Sequence, residues 1–404
     1  MTRIAWGFRH TLFASYLGYI VQAIINNFMP LLLIMFHQDM NVTLDQLALL
    51  VGFNFAVQLV VDLIASATID RIGYRRAIIA AHVFAALGLV SLAMLPGLMP
   101  PFAGLLLAVC IYAIGGGIIE VLISPIVEAC PTENKTAAMS LLHSFYCWGH
   151  MGVVILTTLF FLAFGIASWR VMAILWALVP LVNTFLFTKV PINTLPHADQ
   201  SPGSYARLLK NPVFWMLFII MVCAGASEQG MAQWASAFAE GGLRVNKTVG
   251  DILGPTFFAL MMGIARALHA KYDEKLPLQA ALIACSALCI VAYLVAALVP
   301  IPLVALAAVG LCGFSVGLFW PGTFSLAAID LPTGGTAMYA LLALAGDLGC
   351  SAGPALVGFV SAKAGGNLSH GFVAAVVYPV LLIVFVRLST RRAALQASKQ
   401  QAEG

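Results

Sequence analysis

Thr336-Ala-Met-Tyr-Ala-Leu-Leu-Ala-Leu-Ala-Gly-Asp-Leu-Gly349 is the second copy of a stretch the chain has already used. The earlier copy reads Thr136-Ala-Ala-Met-Ser-Leu-Leu-His-Ser-Phe-Tyr-Cys-Trp-Gly149, so the Thr, the Ala after it, the Leu-Leu pair and the closing Gly recur at an offset of 200. A Pro-Thr precedes each copy, at Pro131 and Pro332. At the same offset Glu120 aligns with Trp320 and Cys147 with Asp347; with a slip of one, Asn27 aligns with Glu228. A half-length repeat in so apolar a chain implies two homologous helical bundles around a shared cavity.

Of the 404 residues, 62% are hydrophobic and only 9% charged, with a mean hydropathy of +0.99. Soluble domains carry roughly 25% charged residues. The length would accommodate two soluble domains, but these could not present so many apolar runs of about 20 residues without aggregating. A transmembrane β-barrel needs alternating strands of about 10 residues, whereas these runs are unbroken and rich in Leu, Ala and Gly. The expected fold is therefore an all-α polytopic membrane protein embedded in the lipid bilayer.

The formal charge of +4 forms no patch for nucleic acid, because the basic residues are dispersed among short loops. The eight cysteines lack the paired spacing of a metal site or disulfide framework and read as reduced packing residues. Met1 to His10 is short and basic and leads into a span too long and too polar to be a cleaved signal peptide, so the first helix is expected to be retained.

Cutting at charge, Pro and Gly clusters gives twelve spans. The first six are His10–Phe36, Leu44–Ile69, Ala77–Leu95, Phe102–Val127, Ala137–Phe164 and Ser168–Phe187. The second six are Pro212–Phe238, Ile252–Tyr272, Pro277–Val299, Leu303–Ala328, Gly335–Lys363 and Gly371–Leu388. Residues 1–190 and 212–404 are thus expected to be two pseudo-symmetric six-helix bundles, with 191–211, which contains Pro, Ser, Asp and Gly, the cytoplasmic linker between them. With both termini cytoplasmic, the inside holds Arg3, Arg9, Arg71, Arg75, Arg76, Lys135, Lys189, Arg207, Lys210, Arg266, Lys271, Lys275, Arg387, Arg391, Arg392 and Lys399. The outside keeps only Arg170, Arg244, Lys247 and Lys363, the asymmetry of a cell-membrane protein, here read as a bacterial inner-membrane one.

The loop after the second span reads Asp70-Arg71-Ile72-Gly73-Tyr74-Arg75-Arg76. Gly73 allows a tight turn, and Asp70 with the basic cluster can pair with neighbouring helix ends in one conformation only, which makes the loop a candidate conformational gate. Here the chain resembles the major facilitator superfamily, whose signature at this place is Gly-x-x-x-Asp-Arg-x-Gly-Arg-Arg. Asp70, Arg71, Gly73 and Arg75 match it; Ser66 and Tyr74 depart from it. The resemblance covers the whole chain and implies two six-helix bundles, a midplane site and alternating access by rocking. Trp320-Pro321-Gly322 and Gly346-Asp347-Leu348-Gly349 look most like the fucose-permease-like branch of sugar:proton symporters. That branch uses acids in spans one and four; here span four has Glu120, but span one offers only Asn26 and Asn27.

Ionisable groups within a bilayer cost about 2.5–3.5 kcal/mol each on insertion scales, so each is a functional candidate. Glu120, Glu228 and Asp347 fall near the middle of spans four, seven and eleven. Glu120 and Asp347 are expected to be proton-linked, with His143 on span five a candidate relay beside Tyr146 and His150. Asp62 lies two turns before Asp70 and is expected to act with the gate. The face carrying Glu228, Gln229, Gln233 and Trp234 suits a hydroxylated solute, since amides and carboxylates bind hydroxyls and an indole covers an apolar sugar face. Tyr19, Gln22 and Asn26 form one stripe on span one, with Asn27 beside it. These and Trp320 are the expected solute-binding residues. Interhelical hydrogen bonding alone would also account for both polar faces.

No Walker-type run, nucleophile elbow or zincin motif is present, and the histidines lack a third ligand at zinc spacing. The sequence therefore points away from an enzyme, a metal centre or a cofactor. The function it points to is a monomeric secondary active transporter of a small polar solute, plausible as a sugar or related metabolite, coupled to protons or another cation. The alternative is a proton-driven drug or metabolite exporter, whose cavity would be more apolar and aromatic than this one.

Overall fold

The computed structural model describes residues 6–131, 135–194, 208–272, 277–331 and 335–403. Among them there are helices and no strands. Twelve spans are long and apolar enough to cross a membrane. Spans one to six are Phe8–Met40, Leu44–Ala65, Tyr74–Leu98, Pro101–Glu128, Leu141–Phe164 and Ile166–Lys189. Spans seven to twelve are Pro212–Gly242, Lys247–His269, Leu278–Leu298, Pro302–Ala327, Leu341–Lys363 and Leu368–Ser389.

Local chemistry sets the boundaries. Thr43 and Gln46 cap span two reciprocally, each side chain accepting from the other's backbone N–H at 3.3 and 3.0 Å. Span seven starts at Pro212, where the missing N–H costs nothing, after Asn211 accepts from the Val213 N–H at 2.9 Å. Span eight begins at Lys247, ahead of the expected Ile252, because Asn246 caps a helical turn that runs on into a π-helical turn over Ile252–Thr256 around Pro255. Of the expected linker, residues 195–207 lie outside the described residues.

The chain divides into two compact units, Met1–Pro196 with Asn246–Ile252, and His197–Val245 with Leu253–Gly404. Within the first, the Lys247 ammonium donates to the Leu31 carbonyl at 2.7 Å and the Thr158 hydroxyl donates to Asp251 at 3.1 Å.

Glycines that match across the repeat make the same kind of contact in both units. In the first, a Cβ on Gly149 would lie 2.9 Å from the Ala23 Cβ and 3.1 Å from the Ile20 Cα, so span five lies directly on span one. In the second, a Cβ on Gly349 would run into the Val222 carbonyl and the Ala226 N–H, so span eleven lies on span seven. Gly117 and Gly317 form a second such pair. A Cβ on Gly117 would come within 2.9 Å of Asp62 Oδ1 and the Gln58 carbonyl, and one on Gly317 within 2.9 Å of the Met262 carbonyl. Lipid tails are as apolar as Leu, so helices associate in membranes by this close packing rather than by excluding water.

A methyl group at Gly349 meets backbone, which cannot swing aside. Gly349→Ala should therefore cost about 1–3 kcal/mol by overpacking and lower the Tm of the purified protein. Gly152→Ala, whose methyl would meet nothing within 4 Å, should leave the Tm unchanged or raise it, as Ala is the better helix former. Equal losses in the two variants would mean that this packing does not hold the unit together.

Candidate functional site

The polar side chains of the first unit converge from spans one, two and four. Gln22 Nε2 donates to Gln58 Oε1 at 2.7 Å and to Glu120 Oε2 at 3.0 Å. Gln58 Nε2 and Asn54 Nδ2 each donate to Asn26 Oδ1 at 3.0 Å. Four amides are thereby strung to one carboxylate. Span four can approach them because residues 116 and 117 are glycine: a Cβ on Gly116 would lie 2.9 Å from Gln58 Oε1 and 3.2 Å from Gln22 Oε1. Two acceptors in this chain, Gln22 Oε1 and Asn54 Oδ1, are buried without a hydrogen-bond partner. Such acceptors cost about 1–3 kcal/mol each, so the arrangement is not one of minimum energy for packing alone.

The remaining candidates of this unit take distinct places. Tyr19 and Ser124 share a hydrogen bond at 3.1 Å, and the Tyr19 ring lies 5.4 Å from that of His143. Asn27 is turned to its own helix, donating to the Ala23 carbonyl at 2.9 Å. Asp62 is 4% exposed and packs beside Gly117, one turn beyond Gln58. Asn54, Gln58 and Asp62 recur every four residues and so form one polar stripe on span two. That stripe was available in the sequence, yet only its acid stood out there.

In the second unit, Gln233 Nε2 donates to Gln229 Oε1 at 2.9 Å and Gln229 Nε2 to Glu228 Oε1 at 3.3 Å. Glu228 Oε2 lies 3.6 Å from the guanidinium of Arg266 on span eight. Arg266 stands near the end of span eight, and its long side chain reaches the Glu228 carboxylate from there. Trp320 lies so close to Gly346 that a Cβ there would strike its ring, which sets the indole beside the turn bearing the buried Asp347. Trp234 departs from the expectation of a solute-facing ring. It is fully buried, and its indole N–H donates to the Pro354 carbonyl of span eleven at 3.0 Å.

Three spans are interrupted beside these residues. The α-helix of span one ends at Asn27 and resumes after a 3₁₀ turn over Met29–Leu32. Span seven breaks after Ala232, at Gln233 and Trp234. Span ten breaks between Val316 and Phe319, just before Trp320. Interrupted membrane helices with polar side chains at the break are where carriers place solutes and ions.

At the candidate gate, Gly73 adopts φ +89°, a conformation side chains disfavour, and joins span two to span three. Arg75 donates to the carbonyls of Phe187 and Val190 at 2.6 and 2.8 Å, capping the end of span six. Arg71 is exposed, and the side chain of Asp70 lies outside the described residues. A further clamp had no counterpart in the sequence reading: Asn183 Nδ2 donates to the Ala14 carbonyl at 3.0 Å and lies 2.8 Å from His82 Nε2, tying spans one, three and six.

The buried indole yields a direct expectation. Trp234→Phe removes one buried N–H···O bond, while the Pro354 carbonyl keeps its place in the helical ladder of span eleven; stability should fall by about 0.5–1.5 kcal/mol and solute affinity should stay within twofold of wild type. Calorimetric titration alongside thermal unfolding separates the two, and a tenfold loss of affinity at unchanged Tm would return Trp234 to the solute.

The family model described as the Major Facilitator Superfamily matches residues 11–354. Among curated proteins none matches the sequence. Similar solved structures include a bacterial homologue of the human lysosomal transporter Spinster, in an inward-facing and occupied conformation, at TM-score 0.75 and 15% identity over 95% of this chain and 97% of that one. The fucose:proton symporter of E. coli matches at TM-score 0.63 and 18% identity over 95% and 98%. A nucleoside transporter matches at TM-score 0.75 and 11% identity over 95% and 99%. At these identities the likeness is one of fold.

Proposed function

The chain belongs to the Major Facilitator Superfamily, a family of carriers and not of enzymes, and we propose that it moves a small hydroxylated solute by alternating access, driven by protons. The observation that carries this reading is the hydrogen bond from Gln22 to Glu120 at the end of a chain of amides. An ionised carboxylate only accepts hydrogen bonds, whereas a protonated one also donates. A proton arriving at Glu120 therefore reverses the demand on Gln22. Each amide carries a donor and an acceptor, so turning one over makes the next turn as well, through Gln58 to Asn26 and Asn54. The bare acceptors Gln22 Oε1 and Asn54 Oδ1 suit a solute that brings hydroxyl donors.

In this reading Tyr19, Gln22 and Asn26 serve the solute in the first unit, and Gln229, Gln233 and Trp320 in the second. Asp347 is a second proton-linked acid and His143 a relay beside Tyr19. Gly73 and Arg75 hold the gate, with Arg71, Asp70 and Asp62 acting beside them. The two similar structures named for fucose and for a nucleoside also denote solutes rich in hydroxyls. The distribution of Lys and Arg supports cytoplasmic termini in a bacterial inner membrane.

Proteoliposomes with an imposed pH gradient test the coupling, using a solute found by thermal-shift screening. Glu120→Gln should reduce gradient-driven accumulation at least about tenfold, roughly 1.4 kcal/mol of lost coupling, while exchange of labelled for unlabelled solute continues. Accumulation at the wild-type level in Glu120→Gln would remove Glu120 from the proton path.

A further inference from the structure

At the end of the first unit away from Gly73, residues of spans one, three, four and six line a cavity of about 450 Å³. Its charged lining is Asp39 and Arg170, set among Met35, Pro96, Pro101 and Trp169. We propose that this cavity binds the headgroup of a zwitterionic phospholipid, with the phosphate on Arg170 and a primary ammonium on Asp39. The site is independent of the solute path and of the carrier reading above.

Both charges are held in place, and neither is neutralised. The Arg170 guanidinium lies over the Trp169 ring, 4.8 Å from its centroid, and its Nε donates to the Ala93 carbonyl at 3.1 Å. The two Nη nitrogens have no acceptor among the described residues. They form a fork that fits two phosphate oxygens. Gly97 carries no side chain to fill the approach: a Cβ there would lie 3.9 Å from Nη2. Asp39 stands on a turn pinned from both sides, where the His37 ring donates to the Val42 carbonyl at 2.7 Å and the Val42 N–H donates to the Phe36 carbonyl at 3.2 Å. Its carboxylate makes no ion pair or hydrogen bond among the described residues, with Arg170 or any other. A simple anion or cation would answer only one of these charges; a phosphate ester bearing an ammonium answers both.

Position selects a lipid over a free metabolite. The cavity lies where four spans end, the level at which headgroups meet water and Trp concentrates. Arg170 also begins a face of span six continued by Ile174, Leu178, Leu181 and Phe185, at i+4, i+8, i+11 and i+15, all exposed. An acyl chain laid on that stripe continues from a headgroup held at Arg170. The acid selects the kind of headgroup. An ionised carboxylate only accepts hydrogen bonds, so Asp39 is met by the three N–H groups of an ethanolamine and by none from a choline.

The test is native mass spectrometry of the purified full-length protein in detergent. It is titrated with phosphatidylethanolamine, phosphatidylcholine and phosphatidylglycerol of the same chains, and with glycerophosphoethanolamine, which is the headgroup alone. The wild type should bind phosphatidylethanolamine at about tenfold lower concentration than phosphatidylcholine. Asp39→Asn should bring these two lipids within twofold of each other, whereas Arg170→Met, which loses the phosphate contact, should weaken both about tenfold. Asp39 and Arg170 are exposed, so each variant should keep the wild-type Tm without lipid; if Arg170→Met does not, Asp39→Asn decides alone. Equal affinity of the wild type for the ethanolamine and choline lipids would overturn the proposal, as would an Asp39→Asn variant that keeps the preference. Tighter binding of phosphatidylglycerol would overturn it by marking a plain anion site. Glycerophosphoethanolamine binding as tightly as the lipid would overturn it by making the occupant a free phosphate ester.

Discussion

A carboxylate set among apolar helices loses much of its hydration, so its own protein must help to replace it, and in the first unit Gln22 is a donor to Glu120. The demand propagates. Gln22 donates to Gln58 as well as to Glu120, and Gln58 in turn donates to Asn26. All of this requires span four to lie close enough to spans one and two, which the paired glycines at 116 and 117 permit. A side chain at either position would push aside Gln58 or Asp62. Helix packing and site chemistry are therefore one feature in this unit, with the small residues serving both.

The second unit repeats the frame without repeating the chemistry. Gly149 and Gly349, and Gly117 and Gly317, bring equivalent spans together at an offset of 200. Yet Glu120 aligns with Trp320, Asp347 with Cys147, and Asp62 with Met262. Close packing of membrane helices needs small residues at the same places in both copies. A buried charge is costly wherever it stands, so each acid is present in one copy only. The chemical asymmetry between the two units is thus built onto a symmetric scaffold by a few substitutions at matched positions.

What the sequence disclosed follows the same division. Span lengths, the half-length repeat and the buried acids could be read directly, because apolar runs and rare charges stand out one residue at a time. Partners could not. Asn54 and Gln58 are ordinary amides until the second span is turned so that they meet Asn26 and Gln22. Arg266 falls in the last turns of the expected span eight, and only the reach of its side chain joins it to Glu228. Trp234 shares a stretch with Gln233 but the helix breaks between them and the next turn, and its indole N–H meets Pro354 instead. Face and reach are set by tertiary packing, which one-dimensional spacing does not encode.

If the amide chain exists to answer a proton at Glu120, then solute movement must itself carry protons. Proteoliposomes containing the wild-type protein, with no gradient imposed and a pH electrode in a weakly buffered medium, measure this directly. Adding the solute that stabilises the purified protein should turn the medium alkaline as protons enter with it, and a protonophore should abolish the change. Solute entry at full rate with no pH change would contradict proton coupling and leave the network as a set of interhelical hydrogen bonds.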